Sequence, residues 1–125
     1  MRIRGERADN QERAIAHFEA ALKVFTRDTA PKEWAQLQNN LAIVLASRIL
    51  GDRTANVETA LAHCEAALAV FTRESEPLLW ASAQNNLGSL YRVRRHGDRA
   101  DNREKAIAHI GAALASRGAY AEATT

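Results

Sequence analysis

The chain has 125 residues, of which 17 are Lys or Arg and 15 are Asp or Glu, so its formal net charge is +2. A balance this close to neutral supplies no strong field for nucleic acid or an anionic membrane surface. The single cysteine, Cys64, excludes an intrachain disulfide framework and a cysteine-rich zinc module. With 26 alanines and two prolines, the composition favours helices over strands.

The sequence repeats itself with a period of 46 residues. Residues 5–50 and 51–96 share 23 identities in 46 positions without a gap. A third copy begins at Gly97 and departs from the pattern after about Ala115, where Ser116-Arg117-Gly118 replaces a Val-Phe-Thr segment. A fixed period of this length indicates repeated supersecondary units.

Each period predicts two helices. The first begins near an asparagine suited to the N-cap, with a glutamate in its first turn, and carries apolar residues at spacings of three and four. These asparagines and glutamates are Asn10, Asn56, Asn102, Glu12, Glu58 and Glu104. The second begins around Pro31 or Pro77, because proline is tolerated in a first turn, and ends before Gly51 or Gly97, the expected C-cap residue. In chain order, the predicted helices span roughly 10–27, 31–49, 56–73, 77–95 and 102–116.

These motifs resemble the tetratricopeptide repeat family. Leu87-Gly88-Ser89-Leu90-Tyr91 matches the Leu-Gly-x-x-Tyr run of that family's first helix, and Leu41-Ala42-Ile43-Val44-Leu45 matches it with Ala for Gly and Leu for Tyr. Ala14, Phe18 and Ala21 follow the Ala-x-x-x-Phe-x-x-Ala pattern of its second helix. The family's usual period is about 34 residues. The longer period and the Gln-Asn-Asn-Leu segment are similar to the long-period bacterial arrays and the kinesin-light-chain-like branch.

The resemblance implies an all-α fold, a right-handed solenoid of antiparallel helix pairs. In the family's register the Pro31 helix is the first of a pair. The single domain 1–125 then contains an orphan second helix (5–30), two repeats (31–73 and 77–116) and a C-terminal tail (117–125). Residues 1–4 look like the tail of a missing first helix. Because orphan ends expose apolar surface, we expect either end-to-end self-association or a missing portion.

The resemblance also implies a binding wall on the concave face, formed by the first helix of each pair. Its residues are Gln36, Asn39, Ile43 and Ser47 in one repeat and Ser82, Asn85, Ser89 and Arg92 in the next. Amide side chains both donate and accept hydrogen bonds, which suits a peptide backbone. We expect Asn40 and Asn86 to bond between repeats, whereas Asn39 and Asn85 serve either ligand binding or that same structural role.

Histidine and cysteine have simpler interpretations than a metal site or a nucleophile. His17, His63 and His109 recur at one repeat position, but packed helices lie about 8–10 Å apart, too far for these rings to share a metal. We expect partly buried rings at the seam between repeats. Cys64 stands where Phe18 and Ile110 stand, so it is predicted to be a core residue.

The remaining aromatic and basic features also favour structural roles. Trp34 and Trp80 recur with the prolines and are predicted packing anchors, with groove aromatics as the alternative. The basic stretch from Arg92 to Arg103 is interleaved with Asp98 and Asp101 and offers no aromatic stacking platform, which argues against nucleic-acid binding.

The expected function is binding without catalysis. The sequence has no Gly-rich phosphate loop, no His-Glu-x-x-His and no Gly-x-Ser-x-Gly, so we expect no enzyme activity, cofactor or metal. It also has no run of 18 apolar residues and no signal peptide, so we expect no membrane contact and a cytoplasmic location. We expect a scaffold that binds a protein or peptide on the concave wall. The alternative is a homo-oligomerisation module that pairs through Phe18 and Leu22 of the orphan helix.

Overall fold

The computed structural model describes the backbone of residues 2–124 and the side chains of residues 5–118. Within that part the chain forms five helices and no strand. They are α1 (Arg2–Val24), α2 (Pro31–Ser47), α3 (Arg53–Leu68), α4 (Pro77–Val93) and α5 (Arg99–Thr124). The predicted all-α class and the number of helices are confirmed.

The helices pack mainly in chain order. The most extensive contacts are those of α2 with α3 and of α4 with α5, followed by α3 with α4 and α1 with α2, and α2 also touches α4. The main core cluster includes Ile15, Leu41, Leu45, Val57, Leu61, Leu87 and Leu90. Fully buried alanines include Ala35, Ala60, Ala67 and Ala81. Small side chains at these positions let the helices approach closely, as the alanine-rich composition predicts.

Helices α2 and α4 begin at Pro31 and Pro77 as predicted, whereas α3 and α5 begin three residues before the predicted positions. Asp52, not Asn56, is the N-cap of α3, and its carboxylate accepts a hydrogen bond from the Ala55 backbone N–H at 2.8 Å. Asn56 lies buried one turn inside the helix, and its Nδ2 donates to the Leu50 carbonyl at 3.0 Å. The same arrangement recurs with Asp98 and Asn102 at the start of α5. Each buried asparagine therefore braces the turn that precedes its helix.

The two repeated glycines lie within those turns and not at the helix ends. Gly51 has φ +83° and Gly97 has φ +85°, the left-handed region in which a side chain is strained. The helices before them end earlier than predicted, at Ser47 and Val93. A short non-helical segment therefore precedes each glycine, and the glycine redirects the chain toward the next helix.

The two ends of the chain are more helical than predicted. Helix α1 begins at Arg2 where the prediction placed Asn10, and α5 continues to Thr124 where the prediction stopped at 116. Residues 2–9 contain no proline, and Gly5 does not adopt the left-handed conformation of Gly51 and Gly97. Residues 117–124 are rich in alanine and lack the Phe-Thr-Arg and proline of the other copies, so nothing stops the helix.

A close approach between α4 and α5 depends on Gly88. A Cβ atom at this position would lie 2.6 Å from Ile110 Cγ1 and 3.0 Å from the Ala106 carbonyl oxygen. The corresponding residues 46 positions earlier are Ala42 and Cys64, both buried in the main core cluster. A larger residue on one helix is thus matched by a smaller one on its neighbour in each pair.

We expect Gly88→Ala to destabilise the protein, because the clash with Ile110 outweighs a helix-propensity gain of about 1 kcal/mol. The free energy of unfolding should fall by about 1–2 kcal/mol in urea denaturation followed by circular dichroism. Adding Ile110→Cys recreates the Ala42–Cys64 combination and should recover part of the loss. Gly111→Ala is the matched control, since its Cβ would meet nothing within 4 Å. Equal stability of the Gly88→Ala and Gly111→Ala variants would contradict the packing argument.

Candidate functional site

Five of the eight predicted wall residues line two grooves. Gln36 and Asn39, on the first half of α2, line a groove with Phe25 and Leu79. Ile43, Ser89 and Arg92 come together in a second groove between α2 and α4, which we call the α2–α4 groove. Its lining is Ala42, Ile43, Ala46, Arg53, Asn86, Ser89, Leu90, Arg92 and Val93.

The other three wall residues line neither groove. The Ser47 carbonyl accepts a hydrogen bond from Gln11 Nε2 of α1 at 2.8 Å, and the Gln11 amide oxygen accepts from the Ile49 backbone N–H at 2.9 Å. Gln11 therefore secures the end of α2. Ser82 and Asn85 are partly buried on α4.

The inter-repeat hydrogen bond of the asparagine pairs differs from the prediction. Asn86 Nδ2 donates to Asn39 Oδ1 at 3.0 Å, whereas Asn40 is exposed. Asn39 is buried, so its amide oxygen joins α2 to α4. The predicted structural role of Asn86 is confirmed, but its partner is Asn39 because Asn39 is the residue of the pair that faces α4.

The α2–α4 groove combines exposed apolar side chains with cations. Ile43 is 46% exposed and Val93 is 40% exposed, while Arg53 and Arg92 lie on the same lining. The groove has a volume of about 220 Å³, below the range of about 300–1,000 Å³ for small-molecule pockets. Its size suits one or two side chains of a larger partner.

Two repeated ion pairs hold the helix ends and were not predicted. The Arg48 guanidinium donates to both carboxylate oxygens of Glu12, at 2.8 and 2.6 Å, and Arg94 donates to both of Glu58, at 2.7 Å each. These bidentate hydrogen bonds lower the pKa of Glu12 and of Glu58, because they favour the charged carboxylate. The recurrence of Arg48 and Arg94 with the 46-residue period is the sequence signal that could have predicted these pairs.

A third nitrogen of each arginine extends these ion pairs. Arg48 Nη1 lies 3.3 Å from Asn56 Oδ1, and Arg94 Nη1 lies 3.4 Å from Asn102 Oδ1. Arg48 therefore links α1 to the asparagine that braces the turn before α3, and Arg94 links α3 to the asparagine that braces the turn before α5.

Two of the three repeated histidines pair with glutamines of the preceding helix. His109 Nδ1 lies 2.6 Å from Gln84 Oε1, and His63 Nδ1 contacts Gln38 Oε1. An amide oxygen only accepts, so each ring donates through Nδ1. His109 also stacks on Tyr91 with 5.7 Å between ring centroids. The seam position predicted for these rings is confirmed for His63 and His109, whereas His17 is exposed.

The tryptophans and the cysteine take the predicted packing positions. Trp34 and Trp80 contact a buried cluster of Ala35, Ala67 and Phe71. Arg27 lies 5.6 Å above the Trp34 ring and Arg73 lies 6.0 Å from the Trp80 ring centroid. Cys64 is fully buried, and burial raises the pKa of its thiol to about 12. Such a thiol is protonated at neutral pH and is therefore a poor nucleophile, because the thiolate is the reactive form.

The residues predicted for self-association lie partly in the core. Phe18 and Leu22 are partly buried against the main core cluster. The exposed large apolar side chains at the C-terminal end of α1 are those of Val24, its last residue, and Phe25, which follows it. Phe25 is 41% exposed, whereas Phe71, its counterpart 46 residues later, is 1% exposed.

Comparison of the chain with protein-family models, with curated proteins and with solved structures finds no match. Among the described residues, no three His, Cys, Asp or Glu side chains are grouped so that they could hold a metal ion. No helix in that part of the chain has the length and apolar character needed to cross a membrane. The case for function therefore depends on the surfaces described above.

We expect stability to fall as the pH drops from about 7.5 to about 5.5, near the ordinary pKa of histidine. Burial lowers the pKa of His63 and of His109 in the folded protein, so the unfolded chain binds protons more readily in this range. The stability that the two neutral histidines contribute is therefore present above the pKa of histidine in the unfolded chain, and it is lost as the pH falls below that pKa. Urea midpoints at the two pH values measure the effect.

The exposed His17 supplies the control for this pH dependence. The double variant His63→Gln, His109→Gln should lose most of the difference between the two midpoints, whereas His17→Gln should retain it. A double variant with the wild-type pH dependence would show that other groups are responsible.

Proposed function

We propose that this chain is a non-catalytic, cytoplasmic protein-binding scaffold of the tetratricopeptide type, which needs no cofactor. In this proposal the five helices form a right-handed solenoid of antiparallel pairs, with α2 and α4 on the concave wall. The 46-residue repeat, the order of helix contacts and the additional contact of α2 with α4 support this arrangement. The observation that carries the proposal is the exposed Ile43 in the α2–α4 groove.

The chemistry of the groove suggests the kind of segment it binds. Ile43 and Val93 offer an apolar floor that a leucine-sized side chain would cover. Arg92 is exposed on the lining and can pair with a carboxylate of the ligand. The proposed partner therefore presents a large apolar residue beside an acidic residue. The scaffold is already formed, so the ligand bears most of the ordering cost.

A selection from a displayed library of random peptides tests this function. Enriched peptides should carry an apolar residue next to Asp or Glu. They should bind Ile43→Asp about tenfold more weakly than wild type, because a charge replaces the apolar contact. Arg92→Ala should weaken them about threefold, as expected for a solvent-exposed ion pair. Fluorescence anisotropy measures both losses.

Leu78→Asp is the matched control for this selection. Leu78 is an exposed apolar residue of α4 outside the groove lining, so its substitution should leave peptide affinity unchanged. Failure to enrich any peptide, or equal affinity for wild type and Ile43→Asp, would count against the proposal.

A second candidate function is self-assembly, which is favoured by the exposure of Phe25 at a position buried in the next repeat. Under this candidate, two copies would cover Val24, the last residue of α1, and the adjacent Phe25. Sedimentation equilibrium of wild type and Phe25→Asp decides the matter, because only an oligomer that uses this face dissociates on substitution. A wild-type monomer at all concentrations excludes the candidate.

A further inference from the structure

One repeat position differs sharply between the three copies. Ile15 on α1, Leu61 on α3 and Ile107 on α5 are separated by 46 residues each. Ile15 is 8% exposed and Leu61 is 4% exposed, but Ile107 is 67% exposed. The side chains are of similar size, so the difference reflects what covers them.

The helix contacts identify the cover. Helix α3 packs against both α2 and α4, α1 packs against α2 alone, and α5 packs against α4 alone in the described structure. Ile15 is buried although α1 packs only against α2, the helix that follows it, in the described structure. The residue at this position is therefore covered by the helix that comes next in the chain, and within the described residues α5 is the helix of this type that is not covered in this way.

Two further positions give the same result. Leu22 and Leu68 are partly buried against the main core cluster, whereas their counterpart Leu114 is 63% exposed. Glu12 and Glu58 each pair with an arginine that follows the next helix. Their counterpart Glu104 is exposed and has no ion-pair partner among the described side chains.

We propose that α5 is an acceptor for an amphipathic helix of a partner protein, which packs on α5 as α4 packs on α3. The partner helix carries two leucine-like residues in the positions of Leu87 and Leu90, followed by an arginine in the position of Arg94. The apolar pair covers Ile107 and Leu114, and the arginine pairs with Glu104. Ile107, Leu114 and Arg103 line this surface, which we call the α5 groove, and it shares Arg92 and Val93 with the α2–α4 groove.

Charges at one end of the α5 groove set the direction of the partner helix. The Glu58–Arg94 pair places the C-terminal end of α4 beside the first turns of α3. A helix whose arginine reaches Glu104 likewise places its C-terminal end beside the first turns of α5. Arg103 lines the α5 groove there, in the position that Val57 occupies on α3, and Arg92, Arg94, Arg95 and Arg99 also line this groove. A cation at that end complements the negative end of the helix dipole.

A second copy of this chain does not supply the helix. The segments with the required pattern are α2 and α4, and their leucines Leu41, Leu45, Leu87 and Leu90 are buried in the protein's own core. The partner must therefore have an unpaired helix of this pattern, which the described part of this chain does not offer.

The test uses a synthetic peptide of residues 77–95, because this segment already covers α3 in the required manner. The labelled peptide should bind the whole protein in an anisotropy titration. Ile107→Asp should weaken binding about tenfold through loss of the apolar contact. Since Ile107 is exposed, the variant should keep its helical content and its thermal midpoint by circular dichroism.

A double-mutant cycle tests the predicted ion pair. Glu104→Gln in the protein and Arg94→Gln in the peptide should each weaken binding about threefold, and together no more than either alone. Leu78→Asp in the protein replaces an exposed apolar residue outside this groove, so it should leave the affinity for the peptide unchanged.

Three results would overturn the inference. The first is no peptide binding, or binding that Ile107→Asp leaves intact. The second is loss of binding in Ile43→Asp but not in Ile107→Asp, which would place the peptide in the α2–α4 groove and support the proposed function instead. The third is a wild-type dimer that Ile107→Asp dissociates, which would make a second copy the occupant.

Discussion

An amphipathic helix with a broad apolar face must be covered from two sides, and most features of this protein follow from that requirement. Helix α3 meets it, with α2 on one side and α4 on the other. Two residues show this: Leu61 is covered by the helix that follows, whereas Phe71, just after α3, is buried with Ala35 of the preceding helix as well as with Trp80 of the following one. Their counterparts at the ends, Ile107 and Phe25, are exposed because each lacks the relevant neighbour. The ends of the array therefore have opposite and specific deficiencies.

The seams between helices combine small residues with paired polar groups. Alanine and Gly88 let the helices come close, which leaves little bulky apolar surface to fix how they slide along one another. Buried polar groups are costly unless paired, and a hydrogen bond such as that from the Asn86 amide to the Asn39 amide oxygen forms in only one alignment of the helices. Among the described residues, no buried side-chain nitrogen or oxygen lacks a partner. Polar pairs thus specify a register that a seam of alanines alone leaves loosely defined.

Local periodicity was sufficient to predict the helices but not the contacts between them. Proline placed the starts of α2 and α4 correctly, because its effect is confined to the first turn. The asparagines were misassigned as N-caps because Asp52 and Asp98, four residues earlier, are equally suitable acceptors. Only the geometry of the preceding turn, held by Asn56 and Asn102, distinguishes the two.

The candidate sites show the same limit. Of the eight predicted wall residues, the structure brings Ile43, Ser89 and Arg92 together on the lining between α2 and α4. The repeat register could not show that Asn39 points into the seam and Asn40 away from it, because adjacent helical residues differ in direction by about 100° and the register was uncertain by one residue. The exposed face of α5 was also missed, because Ile107 and Leu61 look alike in sequence and differ only in their neighbours.

The bridging arginines give the array a longer range of coupling than its packing provides. In a simple repeat protein each unit senses only its neighbours, so the ends can fray without affecting the centre. Arg48 instead joins Glu12 of α1 to Asn56 of α3, two helices that do not pack together, and Arg94 joins α3 to α5 in the same way. Opening α1 therefore removes a ligand from the guanidinium that holds the turn before α3. We therefore expect unfolding of α1 to loosen the start of α3 as well, although the two helices make no packing contact in the described structure.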